Sequence, residues 1–185
     1  MSTRALILPG IGNSSSEHWQ SLWERANSSF LRVEQRDWER PVCEEWVNVL
    51  EDAVRQTGNH STKVVLVAHS LGCLLVAQWA SRTKLSIKGA LLVAPPDPFG
   101  PNFPKKATGF SPFPLQPLRF PSIVVTSADD PYGSAEFATQ CAAAWGGRIV
   151  NIGAAGHINA YSGLGPLLSD NYLVRLTTII LAGKT

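Results

Sequence analysis

The sequence predicts an α/β fold in which a parallel β-sheet has helices on both faces. Short apolar runs alternate with amphipathic stretches along the chain, and strands that alternate with helices form right-handed crossovers between parallel strands. Of the 185 residues, 44% are hydrophobic and only 16% are charged, against a usual charged share of about 25%. A chain of this size and composition can bury a substantial core. We therefore expect one domain, residues 1–185.

The predicted strands are short apolar runs bounded by turn residues. Val64–Ala68 shows no polar alternation, as expected of a parallel strand that is buried on both faces. Ala5–Leu8 ends at Pro9-Gly10, a turn signal. In chain order, the six predicted strands are Ala5–Leu8, Phe30–Glu34, Val64–Ala68, Ile87–Ala94, Ile123–Ser127 and Arg148–Ile152.

The predicted helices carry apolar residues at helical spacing. In the first of them, Trp19, Leu22, Trp23 and Ala26 follow an i, i+3, i+4, i+7 pattern, which places them on one face of a helix. A comparable stripe supports the helix Val42–Gln56. In chain order, the predicted helices are Glu17–Ser28, Val42–Gln56, Leu71–Ser81, Ala135–Trp145 and Pro166–Leu181.

Residues 95–121 interrupt this alternation. They hold nine of the 13 prolines and five of the seven phenylalanines, and the segment is too long for a simple connection. We expect an irregular excursion packed over the carboxyl edge of the sheet, where open α/β folds bind their ligands. A phenylalanine cluster that completes the core is almost as good an interpretation as a wall of a substrate pocket. The phenylalanines assigned to that wall are Phe99, Phe103, Phe110 and Phe113.

Composition and charge argue against several classes of protein. The net charge is +2 and no block of Lys or Arg stands out, so neither nucleic acid nor an anionic membrane is an expected partner. The three cysteines show no C-x-x-C spacing, which argues against a zinc site or a disulfide framework. We expect a cytoplasmic protein, because no signal peptide or apolar run of membrane-spanning length is found.

The strongest local motif is Ala68-His69-Ser70-Leu71-Gly72, between a buried strand and a helix. A nucleophile elbow, usually written G-x-S-x-G, occupies this position: its serine lies at a strained turn that needs small residues two positions away on either side. Gly72 meets that need fully, and Ala68 adds only one methyl group. The simpler interpretation is that Ser70 only caps the helix.

A serine nucleophile needs a base, and His157 is the best candidate among the four histidines. It follows the sixth predicted strand, in a loop with glycines on both sides, Gly153-Ala154-Ala155-Gly156-His157. His18, near the start of the first helix, is the alternative. His60 precedes the third strand and falls at the wrong end of the sheet. His69 adjoins the serine, so its side chain is expected to point elsewhere.

The acid that orients the base is expected after the fifth strand, in Ser127-Ala128-Asp129-Asp130-Pro131. The usual spacing, counted from Ser127, selects Asp130. Asp129 is the near alternative, and Asp97, which follows the fourth strand, is a third option. A turn-capping role would also account for each of these aspartates.

Two backbone amides are candidates for an oxyanion hole. One is the amide of Leu71, the residue after the predicted nucleophile, and the other is that of Ile11, in the loop Pro9-Gly10-Ile11-Gly12 after the first strand. Enzymes with this elbow take their two donors from these places. Such donors stabilise the negative charge that develops on a tetrahedral intermediate.

The same loop admits a different interpretation. Residues 10–15 resemble a dinucleotide-binding fingerprint, with Ser15 at the third glycine position and Glu34 as a ribose ligand. However, the third position should be Gly or Ala for close packing, and the helix is predicted to start late, near Glu17. This interpretation also leaves Ser70 and His157 without a role.

Taken together, these motifs resemble the small serine hydrolases similar to retinoblastoma-binding protein nine and the bacterial YdeN-like hydrolases. The resemblance covers nearly the whole chain, and Gly156-His157-Ile158-Asn159-Ala160 is its most specific part. It implies a reduced α/β-hydrolase fold with strand order 2-1-3-4-5-6, a Ser70–Asp130–His157 triad and no cofactor. The L-x-C-x-E motif credited with retinoblastoma binding is not matched, because Pro41-Val42-Cys43-Glu44-Glu45 lacks the leucine.

The sequence therefore predicts a serine hydrolase that cleaves a small ester, thioester or amide. Its expected partner is that small-molecule substrate. The sequence is also compatible with two other classes of protein. One is a binding or scaffold protein with a vestigial triad, and the other is the dinucleotide-binding protein.

Overall fold

The computed structural model describes residues 2–59 and 62–163, and six strands of that part of the chain form one sheet. All neighbouring strands are parallel and their order is 2-1-3-4-5-6, so the predicted fold class is confirmed. The strands are β1 (Ser2–Leu8), β2 (Phe30–Arg32), β3 (Thr62–His69), β4 (Gly89–Val93), β5 (Ser122–Thr126) and β6 (Arg148–Asn151).

Helices cover both faces of the sheet. The core on one face contains residues of α2, α3 and α4, and the core on the other contains Trp19 and Trp23 of α1. The helices are α1 (Trp19–Ala26), α2 (Cys43–Thr57), α3 (Leu71–Ala80) and α4 (Ala135–Trp145). The predicted helix Pro166–Leu181 lies outside the described residues. Within the described ranges, no helix has the length and apolar character needed to cross a membrane.

The first helix begins two residues later than predicted. His18 has an extended backbone, and its Nδ1 atom accepts a hydrogen bond from the amide of Gln20, which caps the helix. The N-cap position requires a non-helical residue whose side chain accepts such a bond. The apolar spacing correctly places Trp19 and Trp23 in the core, whereas Ala26 of the predicted face is exposed. The spacing carries no information on the cap.

The register of β1 and β3 brings together the loops that follow them. Leu8 pairs with Ala68 at the carboxyl ends of β1 and β3. The loop that begins at Pro9 therefore lies beside the turn at Ser70. Parallel strands end at one edge of a sheet, so loops far apart in sequence converge there.

Residues 95–121 contain no helix and no strand, only a single bridge between Thr108 and Val42. The segment packs mainly against helices on one face of the sheet: the side chains of Gln78 and Trp145 donate hydrogen bonds to the carbonyls of Pro112 and Pro114. It takes the place of a crossover helix between β4 and β5. The irregular structure agrees with the prediction, but only the beginning of the segment reaches the carboxyl edge.

Candidate active site

Ser70 lies at a sharp turn between β3 and α3, with φ 55° and ψ −125°. Positive φ is unusual for a residue with a side chain, and such strain concentrates at functional sites. The amide of Ser70 donates to the carbonyl of Val93 at 2.9 Å, which fixes the turn to the neighbouring strand. The predicted strand–serine–helix arrangement is present.

Close packing explains the small residues around this turn. A Cβ atom on Gly72 would lie 2.4 Å from the carbonyl oxygen of Leu8. A Cβ atom on Gly10 would lie 2.8 Å from the Cβ of Ser70. The motif predicts that position 72 requires a very small residue. The close contact at Gly10 depends on the pairing of β1 with β3, which the motif does not reveal.

The side chains of Ser70, His157 and Asp130 meet at the carboxyl edge of the sheet. The Nε2 atom of His157 lies 2.8 Å from the Oγ of Ser70. Its Nδ1 atom lies 2.9 Å from each carboxylate oxygen of Asp130. A carboxylate can only accept, so Nδ1 carries the proton and the Nε2 of the neutral ring is free to accept from the serine hydroxyl.

Burial and a backbone hydrogen bond fix the carboxylate of Asp130. Its side chain is 1% exposed and that of His157 is 10% exposed. The amide of Tyr132 donates to Asp130 at 2.9 Å. The aspartate at the predicted spacing thus contacts the imidazole.

The other two candidate acids contact backbone amides instead. Asp129 accepts from the amides of Ala155 and Gly156, and Asp97 accepts from the amide of Phe99. The hydrogen bond from the hydroxyl of Ser127, followed by that from Gly156, holds the pKa of Asp129 below its usual range. Both roles resemble the turn-capping alternative considered for these residues.

Two further histidines lie beside His157 but make other contacts. His69 donates from Nε2 to the carbonyl of His157 at 2.8 Å, and its pKa is well below the usual range because the ring is buried. Burial, then the nearby charge of Arg32, lowers the pKa of His18 to about 4. The side chain of His18 caps α1, so its Nδ1 is occupied. His60 is outside the described residues.

Ile11 and Leu71, whose amides are the candidate oxyanion donors, both line the cavity at this edge. Leu71 is the first residue of α3, where an amide has no carbonyl partner within the helix. In the part of the chain that the structure describes, neither amide donates a hydrogen bond to another backbone or side-chain group. A bond from the amide of Gly12 to the carbonyl of Trp38, 2.8 Å long, anchors the loop that holds Ile11.

A cavity of about 600 Å³ opens onto Ser70 and His157. Its wall on the side of residues 95–121 is formed by Pro96 and Pro104, with Tyr132 beside them. The expectation that phenylalanines form this wall requires correction. Phe99 points into solvent with 75% exposure, Phe103 packs against the core, and Phe110 and Phe113 are buried in the core.

Tyr132 is a cavity residue that none of the sequence motifs identifies as part of the site. Its ring lies 4.5 Å from that of His157, centroid to centroid, and it is 38% exposed. Its position two residues after Asp130 was the available signal. Asn159 and Tyr161, which follow His157, also line the cavity.

The observed site gives no support to dinucleotide or metal binding. Helix α1 begins at Trp19, so the loop of residues 10–15 does not lead directly into a helix N-terminus as the fingerprint requires. Among residues 2–59 and 62–163, no group of three or more His, Cys, Asp or Glu side chains is arranged to hold a metal ion.

This sheet order, with a serine elbow after the third strand, defines a hydrolase of the α/β-hydrolase type. The chain belongs to the serine hydrolase family, whose model matches residues 5–175. No curated protein matches the chain.

Solved structures agree with this assignment. A YdeN-like hydrolase from Pectobacterium atrosepticum is 30% identical, with a TM-score of 0.82 over 98% of this chain and 92% of that one. The ydeN gene product of B. subtilis is 19% identical, with a TM-score of 0.76 over 99% and 100%. The type II thioesterase BorB, from the borrelidin biosynthetic cluster, is 17% identical, with a TM-score of 0.67 over 98% and 93%. The resemblance to the YdeN-like hydrolases is therefore confirmed.

Proposed function

We propose that this hydrolase cleaves a small ester, thioester or amide through an acyl-enzyme formed on Ser70. The observation that carries the proposal is the 2.8 Å contact between Ser70 Oγ and His157 Nε2, with Nδ1 of the same ring on Asp130. A nucleophile, a base in contact with it and an acid that orients the base are the parts that this chemistry needs.

In the first step, His157 takes the hydroxyl proton of Ser70 at Nε2 while Oγ attacks the substrate carbonyl carbon. Asp130 keeps the proton on Nδ1, so that Nε2 is the basic atom, and stabilises the imidazolium that forms. The 1% exposure of the Asp130 side chain supports this role, because little water competes for the interaction.

The tetrahedral intermediate carries a negative oxygen, and the amides of Leu71 and Ile11 are its proposed donors. Their lack of other acceptors among the described residues supports this assignment. The loss of one such donor typically costs about 3–4 kcal/mol of transition-state stabilisation.

The intermediate then breaks down as His157 gives its proton to the leaving group. Water enters, His157 removes one of its protons, and attack on the acyl-enzyme releases the acid and restores the Ser70 hydroxyl. The proposed cycle needs no cofactor, so activity is expected to persist in EDTA.

The size and lining of the cavity indicate that the part of the substrate around the scissile bond is small and uncharged. A volume of about 600 Å³ lies within the range of small-molecule sites. Among the described residues, no Asp, Glu, Lys or Arg lines it. BorB is named as a thioesterase, which is a reason to test thioesters as well as esters.

A reducing compartment such as the cytoplasm is the proposed location. Cys43, Cys73 and Cys141 are all buried free thiols, and proteins of oxidising compartments usually pair their cysteines. Burial raises the pKa of Cys43 to about 11, which keeps the thiol protonated. Fractionation of cells that express the protein tests this location.

The test of the activity is a panel of p-nitrophenyl esters, acyl thioesters and anilides, assayed with the wild-type chain and Ser70→Ala. The proposal predicts turnover of at least one substrate class by the wild type and none by the variant. Wild-type protein inactive on the whole panel and unreactive with a fluorophosphonate would instead support the binding or scaffold alternative.

A further inference from the structure

The loop that carries His157 is held by side chains from outside it, and we propose that Asp129 is the positioning residue that fixes this loop. Its carboxylate would set the backbone so that the imidazole of His157 reaches Ser70. This inference rests on the proposed roles of Ser70 and His157. Asp129 acts through the loop and takes no part in the bond changes.

One carboxylate oxygen of Asp129 accepts three hydrogen bonds. Oδ1 accepts from the amide of Ala155 at 2.8 Å, from the amide of Gly156 at 2.7 Å and from the hydroxyl of Ser127 at 2.7 Å. The two amides belong to the residues immediately before His157. Hydrogen bonds to a carboxylate are roughly twice as strong as those between neutral groups, so this oxygen is a strong anchor for the loop.

Two other side chains fix the backbone at His157 and just after it. His69 donates from Nε2 to the carbonyl of His157 at 2.8 Å, and Trp19 donates from Nε1 to the carbonyl of Ile158 at 2.9 Å. The backbone is therefore held on both sides of the imidazole. Asp129 supplies the contacts on the side that precedes it.

The conformation of the loop explains why external contacts are needed. Gly156 has φ 54° and Ile158 has φ 49°. A left-handed conformation is costly for Ile158, a β-branched residue, and persists only where the surroundings impose it. Without Asp129, we expect the loop to relax and His157 to move away from Ser70.

A small displacement is enough to impair the reaction. Misplacement by about 1 Å can cost about 100-fold in rate, even when the changed residue is remote from the chemistry. Asp129→Ala removes the acceptor and should cause a loss of this size in kcat with little change in KM. Asp129→Asn keeps one carbonyl oxygen that can accept from both amides, so it should lose only a few-fold.

The experiment measures the rate constant and the end point of fluorophosphonate labelling in wild type, Asp129→Ala and Asp129→Asn. The positioning role predicts complete labelling of all three, about 100-fold slower in Asp129→Ala. Asp97→Ala is the matched control, because this aspartate also follows a strand and accepts from a backbone amide, that of Phe99. It should label at the wild-type rate.

Proton NMR provides a second readout that does not depend on activity. The Nδ1 proton of His157, bonded to Asp130, should give a low-field resonance in wild type and Asp129→Asn that is lost in Asp129→Ala. A wild-type protein that is not labelled would contradict the proposed function, while this resonance would still test the position of His157.

Two results would overturn the inference. One is labelling of Asp129→Ala at the wild-type rate with the low-field resonance retained. The other is an equal loss of labelling rate in Asp129→Ala and Asp129→Asn. If Asp129→Ala does not fold, Asp129→Leu replaces it, because leucine is close to aspartate in size and offers no acceptor to the amides of Ala155 and Gly156. Complete but slower labelling of Asp129→Leu supports the inference, and labelling at the wild-type rate overturns it.

Discussion

Asp129 and Asp130 are neighbours in the chain, yet they contact two different parts of the loop that carries His157. Asp130 meets the imidazole, with both carboxylate oxygens 2.9 Å from Nδ1. Asp129 meets the backbone, with one oxygen on the amides of Ala155 and Gly156. The two consecutive carboxylates thus contact different groups, so replacing either one should have its own signature.

Asp130→Asn should reduce turnover far more than Asp129→Asn. An amide at position 130 cannot hold the imidazole of His157 in the required tautomer, and the same replacement in serine proteases costs about 10⁴-fold in kcat. Steady-state kinetics on the best substrate of the panel provides the comparison. Equal losses in the two variants, or a loss confined to Asp129→Asn, would move the catalytic acid by one residue.

Gly72→Ala should destabilise the protein by about 1–3 kcal/mol, the usual effect of overpacking. The added Cβ would lie 2.4 Å from the carbonyl oxygen of Leu8, so β1 or α3 must shift. Because alanine is favoured over glycine in a helix by about 1 kcal/mol, helix propensity alone predicts the opposite sign. Urea unfolding decides between the two, and a variant as stable as wild type would argue against this close approach.

Stability should fall as the pH is lowered from about 6.5 to about 4, the ordinary and native pKa values of His18. In that range the imidazole of His18 is protonated in the unfolded chain but not in the folded chain, so the free energy of unfolding rises with pH. The shift corresponds to about 3 kcal/mol at most for this residue.

His18→Asn is the matched variant for this pH dependence. Asparagine keeps a side-chain acceptor for the N-cap of α1 but does not titrate. Denaturant unfolding across this pH range should show a shallower slope in the variant. An identical slope would mean that His18 does not contribute.

The acyl-chain preference should peak at short chains, about two to six carbons. Each buried CH₂ contributes about 0.8 kcal/mol only while the cavity can hold it. The wall formed by Pro96, Pro104 and Tyr132 includes prolines, whose restricted φ limits its adjustment. kcat/KM on a series of p-nitrophenyl esters measures this preference. If kcat/KM still rises at acyl chains of about twelve carbons, the cavity extends further than this wall allows.

The sequence predicted most of the fold because each element has its own local signal. The unbroken apolar run of β3 and the helical spacing of Trp19 and Trp23 depend on nothing distant. The elbow at Ser70 and the spacing that selects Asp130 are local as well. These features could be located without knowledge of packing.

Features that depend on packing between distant segments could not be predicted in the same way. The direction in which Phe99 and Phe103 point is decided by how residues 95–121 pack against the helices. The close contact of Gly10 with Ser70 requires the pairing of β1 with β3. The contact of Asp129 with Gly156 joins loops that only the folded sheet edge brings together.

The most direct test of Ser70 as the nucleophile is to map the site of fluorophosphonate attachment in wild type and Ser70→Ala. Peptide mass spectrometry locates the adduct. We expect a single adduct on the peptide that contains Ser70 and none in the variant. The thermal midpoint of Ser70→Ala should stay near that of wild type, because the lost hydroxyl is small and its main partner is His157. An adduct on another residue, or one that persists in a folded Ser70→Ala, would contradict Ser70 as the nucleophile.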